Sequence, residues 1–126
     1  MIAIDTSSLV AYLAGVNADD TNAVDDAIGH KAALLPPVVL TELLSARNLE
    51  RSVRETLLAI PMLDVTEGYW ERAGLLRARL LSRRLKARLA DTLIAQSCMD
   101  HGVALITRDR DFRQFAKHGG LRVVPE

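Results

Sequence analysis

Short apolar runs alternate along the chain with stretches in which apolar residues return every three or four positions. Ile2, Ala3 and Ile4 form a run that stops at Asp5, the pattern of a buried strand. Leu9, Val10 and Leu13 then share one side of a helix over Thr6–Leu13, which Gly15 and Asn17 break. Residues 19–29 read as a polar helix with acids at Asp19, Asp20, Asp25 and Asp26, closed by Gly29. A second strand is predicted over 32–35. Pro36-Pro37 ends it and pre-sets the first turn of a helix through VVLTELLSA, 38–46, and another helix covers 50–59. After Pro61, residues 62–65 read as a third strand. A long helix follows over 67–84, then one over Leu89–Asp100 with Gly102 as its stop. Residues 103–106 are a fourth strand, 111–117 a short helix, Gly119-Gly120 a turn and 121–124 a fifth strand.

Strands alternating with helices in this way predict an α/β fold, a five-stranded parallel sheet between two layers of helices. At 126 residues, 49% of them apolar, the chain forms one domain spanning residues 1–126. In such sheets the functional crevice opens beyond the carboxyl ends of the strands. Polar residues that directly follow strands are therefore the candidates for chemistry. Asp5 follows the first strand at once, and Asp109 comes three residues after Ile106.

Four acids stand out: Asp5, Glu42, Asp91 and Asp109. Each has a plain structural explanation. Asp5 fits a helix N-cap, Asp91 a first-turn acid facing the helix dipole, and Asp109 a turn residue. Glu42 lies among Val38, Val39, Leu40, Leu43 and Leu44, where burial of an unpaired carboxylate costs several kcal/mol unless it has a partner; a solvated stripe on an apolar helix is the plain alternative. Asp111 fits the N-cap of the short helix or an outer member of a site. Taken together the acids carry more weight. Two carboxylates ~5 Å apart repel by about 3 kcal/mol at an effective dielectric of 20, and no lysine lies within three residues of any of the four. Either some are protonated or a cation sits among them, and oxygen-only ligands suit Mg²⁺ or Mn²⁺. Such an ion activates water and neutralises a phosphodiester in line for attack. His30, His101 and His118 lie outside these segments, and no P-loop, HExxH or GxSxG occurs.

Sixteen basic residues balance sixteen acidic ones, so net charge names no partner. Their distribution is more informative. Arg72, Arg77, Arg79, Arg83, Arg84, Lys86 and Arg88 form a run without acids that ends just before Asp91. At helical spacing Arg72, Arg79, Arg83 and Lys86 share a face opposite Tyr69, Ala73, Leu76 and Leu80. A solvated face is the plain reading; a phosphate-holding surface that includes Arg79, Arg83, Lys86 and Arg88 is the functional one. Phe112 and Phe115 are core candidates, as is Cys98, which lacks an internal disulfide partner and fits a reducing compartment. Trp70 has no assigned part. With no apolar run of ~18 residues and no basic leader, the expectation is a cytoplasmic protein without membrane contact.

The segments MIAIDTSSLVAYL, PPVVLTELLSA, LADTLIAQ and LITRDRDF resemble, in order and over nearly the whole chain, the motifs of PIN-domain nucleases in their VapC-type toxin branch. The resemblance implies Mg²⁺-dependent RNA cleavage, a homodimer and inhibition by a small cognate antitoxin. It makes Asp5, Asp91 and Asp109 metal ligands and Glu42 the remaining catalytic acid. Ser7 and Thr107 are supporting positions, and the fourth motif leaves Asp109 and Asp111 as rivals. A non-catalytic Mg²⁺-binding or protein-interaction module is the alternative. A phospho-acceptor receiver needs an Asp beyond the third strand and a Lys after the fifth. Asp64 lies inside the predicted third strand, and no Lys follows Val124. A dehalogenase-type enzyme needs an Asp where Ser7 stands.

Overall fold

The computed structural model describes residues 1–126. Its elements are β1 (Ile2–Ile4), α1 (Thr6–Leu13), α2 (Asp19–Gly29), β2 (Ala33–Leu34), α3 (Pro37–Leu44), α4 (Arg51–Ala59), α5 (Tyr69–Ser82), α6 (Leu89–Asp100), β3 (Leu105–Ile106), a 3-10 turn (Arg110–Phe112), α7 (Arg113–Gly119) and β4 (Val123–Val124). The strands are parallel, in the order β2-β1-β3-β4. Parallel pairing needs crossovers, and helices supply all of them.

The sheet has four strands where the sequence predicts five. Residues 62–65 reach it only as a bridge from Met62 to Leu35. The Leu35 amide donates to the Pro61 carbonyl and the Leu63 amide to the Leu35 carbonyl, both at 2.9 Å. The ladder stops there because the segment buries too little. Leu63 is buried, but Met62 and Val65 are about half exposed, and the Asp64 carbonyl accepts from His101 Nε2 at 2.8 Å. The long helix is also shorter than its apolar pattern suggests. Gly68 at φ 80° precedes Tyr69, and Arg84, two residues past Ser82, has φ 60°, so 83–88 is irregular.

The core explains the position of the site. Ala3, Ile4, Leu105 and Ile106 are fully buried in the two central strands, covered on both faces as parallel strands require. Leu9, Val39, Ile94, Leu80, Phe112 and Phe115 close over them. Helix α6 buries Thr92 and every residue from Ile94 to Cys98, and packs against α5 and α3. Register pairs Ile4 with Ile106, so the residues after β1 and β3 emerge side by side. No helix is long and apolar enough to cross a membrane.

Candidate active site

Asp5 leaves β1 with its amide bonded to the Ile106 carbonyl at 2.9 Å. It is 4% exposed. It occupies the N-cap position of α1, yet its side chain makes no capping hydrogen bond of good geometry. Instead its Oδ2 accepts from Ser7 Oγ at 2.6 Å and from Thr107 Oγ1 at 2.8 Å. Burial raises the pKa of Asp5, and these hydroxyls with the nearby amides of Thr6 and Ser7 oppose that rise.

Thr107 joins the two strand ends. While donating to Asp5, its hydroxyl accepts from the Asp109 amide at 3.0 Å. Asp109 in turn caps the 3-10 turn, accepting from the Asp111 amide at 2.9 Å. The N-cap is therefore Asp109 rather than Asp111, and Asp111 turns toward the site. The first turn of α6 brings Asp91 to the same place. Carboxylate oxygens of Asp91, Asp109 and Asp111 lie within 4.8 Å of one another, all part-buried. The two rivals of the fourth motif thus both belong to the cluster. Asp91 has its pKa raised to about 6, first by desolvation, then by the charges of Asp109 and Asp5; Arg88 opposes the rise and Asp111 adds to it.

Glu42 sits apart from this group. It is exposed on α3, where only Val39 and Leu43 are buried, so the burial expected from its apolar neighbours does not occur. Its Oε1 accepts from Thr6 Oγ1 at 2.8 Å, which leaves it at the rim of the site beside the residue that follows Asp5.

The basic run divides in three. Arg72 is committed to the fold: it donates to Asp100 at 2.7 and 3.0 Å and to the Glu67 carbonyl at 2.8 Å. Arg79 and Arg83 reach α7, at the His118 carbonyl (3.3 Å) and His118 Nδ1 (2.9 Å). Lys86 and Arg88, both beyond the helix, face the acids; Lys86 Nζ is 2.9 Å from Asp111 Oδ2. Sequence reasoning missed that pair, since 25 residues separate its members and no local pattern links them. It also missed Asp20. Buried beneath α1, Asp20 accepts from Ser8 at 2.9 Å and holds Arg108 Nε at 3.0 Å, which ties the loop after β3 to α2. Nothing in the sequence distinguishes Asp20 from the solvated acids of the same helix.

The donor set fits a hard divalent ion. Asp91, Asp109 and Asp111 offer only carboxylate oxygens, close enough together to share one ion, and would hold Mg²⁺ or Mn²⁺ there. Residues 2–118 match the PIN domain family, and the chain belongs to that family, whose members are generally nucleases. Among solved structures, a chain in VapBC2 from Rickettsia felis bound to a DNA fragment from their promoter superposes with a TM-score of 0.74 at 19% identity, covering 98% of this chain and 97% of that one. FitAcB from Neisseria gonorrhoeae gives 0.71 at 20% identity, over 98% and 96%. VapBC-5 from Mycobacterium tuberculosis, a member of the VapBC family of toxin–antitoxin systems, gives 0.63 at 21%, over 97% and 95%. A comparison with curated proteins gives no match.

Proposed function

We propose that this chain is a Mg²⁺- or Mn²⁺-dependent endoribonuclease acting as the toxin of a toxin–antitoxin pair. The observation that carries the reading is the convergence of Asp91, Asp109 and Asp111 beside Asp5 at the carboxyl ends of β1 and β3. Asp5, Asp91 and Asp109 would hold the ion, with Asp111 within reach of it; when bound, the ion supplies an activated water and charge neutralisation at the phosphodiester. Ser7 and Thr107 both donate to Oδ2 of Asp5, which fixes its rotamer and leaves Oδ1 free of side-chain donors. Glu42, exposed and oriented by Thr6, is placed to bind or orient substrate at the rim. Lys86 supplies a positive charge to Asp111 that an incoming cation must displace.

A toxin role and a cognate antitoxin are supported by likeness to VapBC-5, a member of a family of toxin–antitoxin systems; a cytoplasmic homodimer belongs to the same proposal. Exposed Trp70, Leu75, Leu81 and Leu89 offer apolar surface for such contacts. RNA incubated with the purified chain is expected to be cut in Mg²⁺ and spared with EDTA or with Asp5→Ala; equal cleavage in all three conditions removes the mechanism. Expression is expected to arrest growth, with relief by Asp91→Ala. A PIN fold kept only for protein binding is the competing reading. The Lys86–Asp111 pair favours it, because it partly neutralises the acids without an ion. Calorimetry with Mg²⁺ and Mn²⁺ separates the two, since only the nuclease binds metal.

A further inference from the structure

Beside the carboxylates lies a cavity of about 360 Å³ whose wall includes Thr107, Arg108, Asp109, Arg110, Arg113 and Glu126. Thr107 and Asp109 belong to both the cavity and the acid network, so a polyanion with one phosphate at the acids has its next within reach of this wall. The volume is at the small end of the range for ligand sites, large enough for a phosphate and part of its sugar. Arg108 is pinned by buried Asp20 and forms a fixed part of the wall. Arg110 and Arg113 are exposed and take part in none of the chain's ion pairs. They stand three positions apart, at the start of the 3-10 turn and of α7. The opposing charge on this wall is Glu126, because Asp109 is engaged with the cluster.

These arginines differ from Arg72, Arg79 and Arg83 of the basic run, which already have partners within the fold. An unpartnered guanidinium retains all its donors for a phosphate, which it binds in a two-pronged geometry. We infer that the cavity is a phosphate subsite for the RNA substrate, in which Arg110 and Arg113 hold the phosphodiester adjacent to the one at the carboxylates. The inference rests on the nuclease reading and moves the principal backbone contacts from α5 to the loop after β3.

Anisotropy of a labelled single-stranded RNA oligonucleotide, measured on an Asp91→Asn background so that the probe stays intact, tests it across a salt series. Arg110→Gln and Arg113→Gln are each expected to weaken binding about 3- to 10-fold. Each also lowers the slope of log affinity against log salt by about 0.7, the contribution of one phosphate contact on a single strand. Glu126→Gln strengthens binding, and Arg54→Gln, on the distant α4, leaves it unchanged. Melting temperatures stay level, because neither arginine is bonded within the fold. Parent-like affinity and salt slope in the Arg110→Gln/Arg113→Gln double variant, or an equal loss from Arg54→Gln, overturns the subsite. The cleavage assay on the unsubstituted chain is a separate reading. If that chain never cuts RNA, the nuclease assignment falls; if it cuts and the double variant binds like its parent, only the subsite falls.

Discussion

Asp91 is part-buried among Asp109, Asp5 and Asp111, so its negative charge is opposed both by desolvation and by its neighbours. A carboxyl group with a raised folded pKa destabilises the fold once pH exceeds that value and ceases to do so as it protonates on the way down. For Asp91 the window runs from about 6 down to the ordinary value of 3.8. Asp91→Asn is therefore expected to stabilise the metal-free chain at pH 7.5 by about 1–2 kcal/mol, after allowance for solvent screening, and to lose that advantage toward pH 4. Urea denaturation in EDTA at the two pH values measures it; a destabilised Asn variant at pH 7.5 contradicts the like-charge account. Much of the cluster could be read at the level of single residues. Asp5 declares itself as a polar residue directly after a strand, Asp109 as one three residues beyond a strand, and Asp91 as an acid in the first turn of a helix. Glu42 was legible as a member of the neighbourhood but not in its environment. Apolar neighbours along a helix imply burial only on the face that packs, and Leu44 is itself exposed. Cys98 is core as its neighbours suggest; burial pushes its thiol up to about 12, which makes it unreactive at neutral pH.

At the level of elements, apolar runs and periodicity, together with polar stretches closed by Gly or Pro, located every helix and the strands that pair in the sheet. It failed where helix propensity and tertiary geometry part company. No Gly or Pro lies between Ser82 and Leu89, so nothing local announces that α5 ends and that Arg83 and Lys86 leave its face. The termination is a property of the packing, since the Leu85 amide bonds back to the Leu80 carbonyl at 3.0 Å and Arg77 Nε reaches over to the Ala87 carbonyl at 2.8 Å. The third strand failed for the converse reason: its residues have strand character, but the sheet edge gives them one bridge and little burial. Arg72 shows what the supposed cationic face does instead. It joins the start of α5 to the end of α6 through Asp100, while Gln96 and Thr66 hold the same carboxylate. The Arg72 hydrogen bond leads the causes that lower the pKa of Asp100. The stabilisation is present at neutral pH and lost as acid titrates Asp100 through its depressed value. Arg72→Gln is expected to lower the melting temperature by about 3–5 °C at pH 7 and by less near pH 3, with RNA affinity unchanged once the chain is folded. A variant of parental stability that binds RNA weakly would return Arg72 to the nucleic-acid surface.

On the scale of the whole molecule, the acids come from three separate stretches: the end of β1, the first turn of α6 and the loop after β3. Sequence alone could place each of them at the carboxyl edge of a parallel sheet, because the topology obliges it. The order β2-β1-β3-β4 and the partner of Lys86 depended on long-range packing with no local signature. An ion held by these three stretches acts as a cross-link that exists only in the folded chain, so it stabilises by mass action. At a concentration 100-fold above its dissociation constant the gain is about 2.7 kcal/mol, or roughly 10 °C in melting temperature for a domain of this size. The pH dependence follows from Asp91. Its proton must leave before the carboxylate can bind the ion, and below about 6 that proton is increasingly retained. The metal-induced rise is therefore expected in full at pH 7.5, to shrink by about tenfold in affinity per pH unit below 6, and to be nearly absent in Asp91→Asn at any pH. Scanning calorimetry with Mg²⁺ and Mn²⁺ at pH 7.5 and pH 5 reads this without any RNA. A melting temperature indifferent to both ions at pH 7.5 would mean that the convergent acids are a solvated surface feature. A rise of equal size in Asp91→Asn would place the ion elsewhere on the molecule.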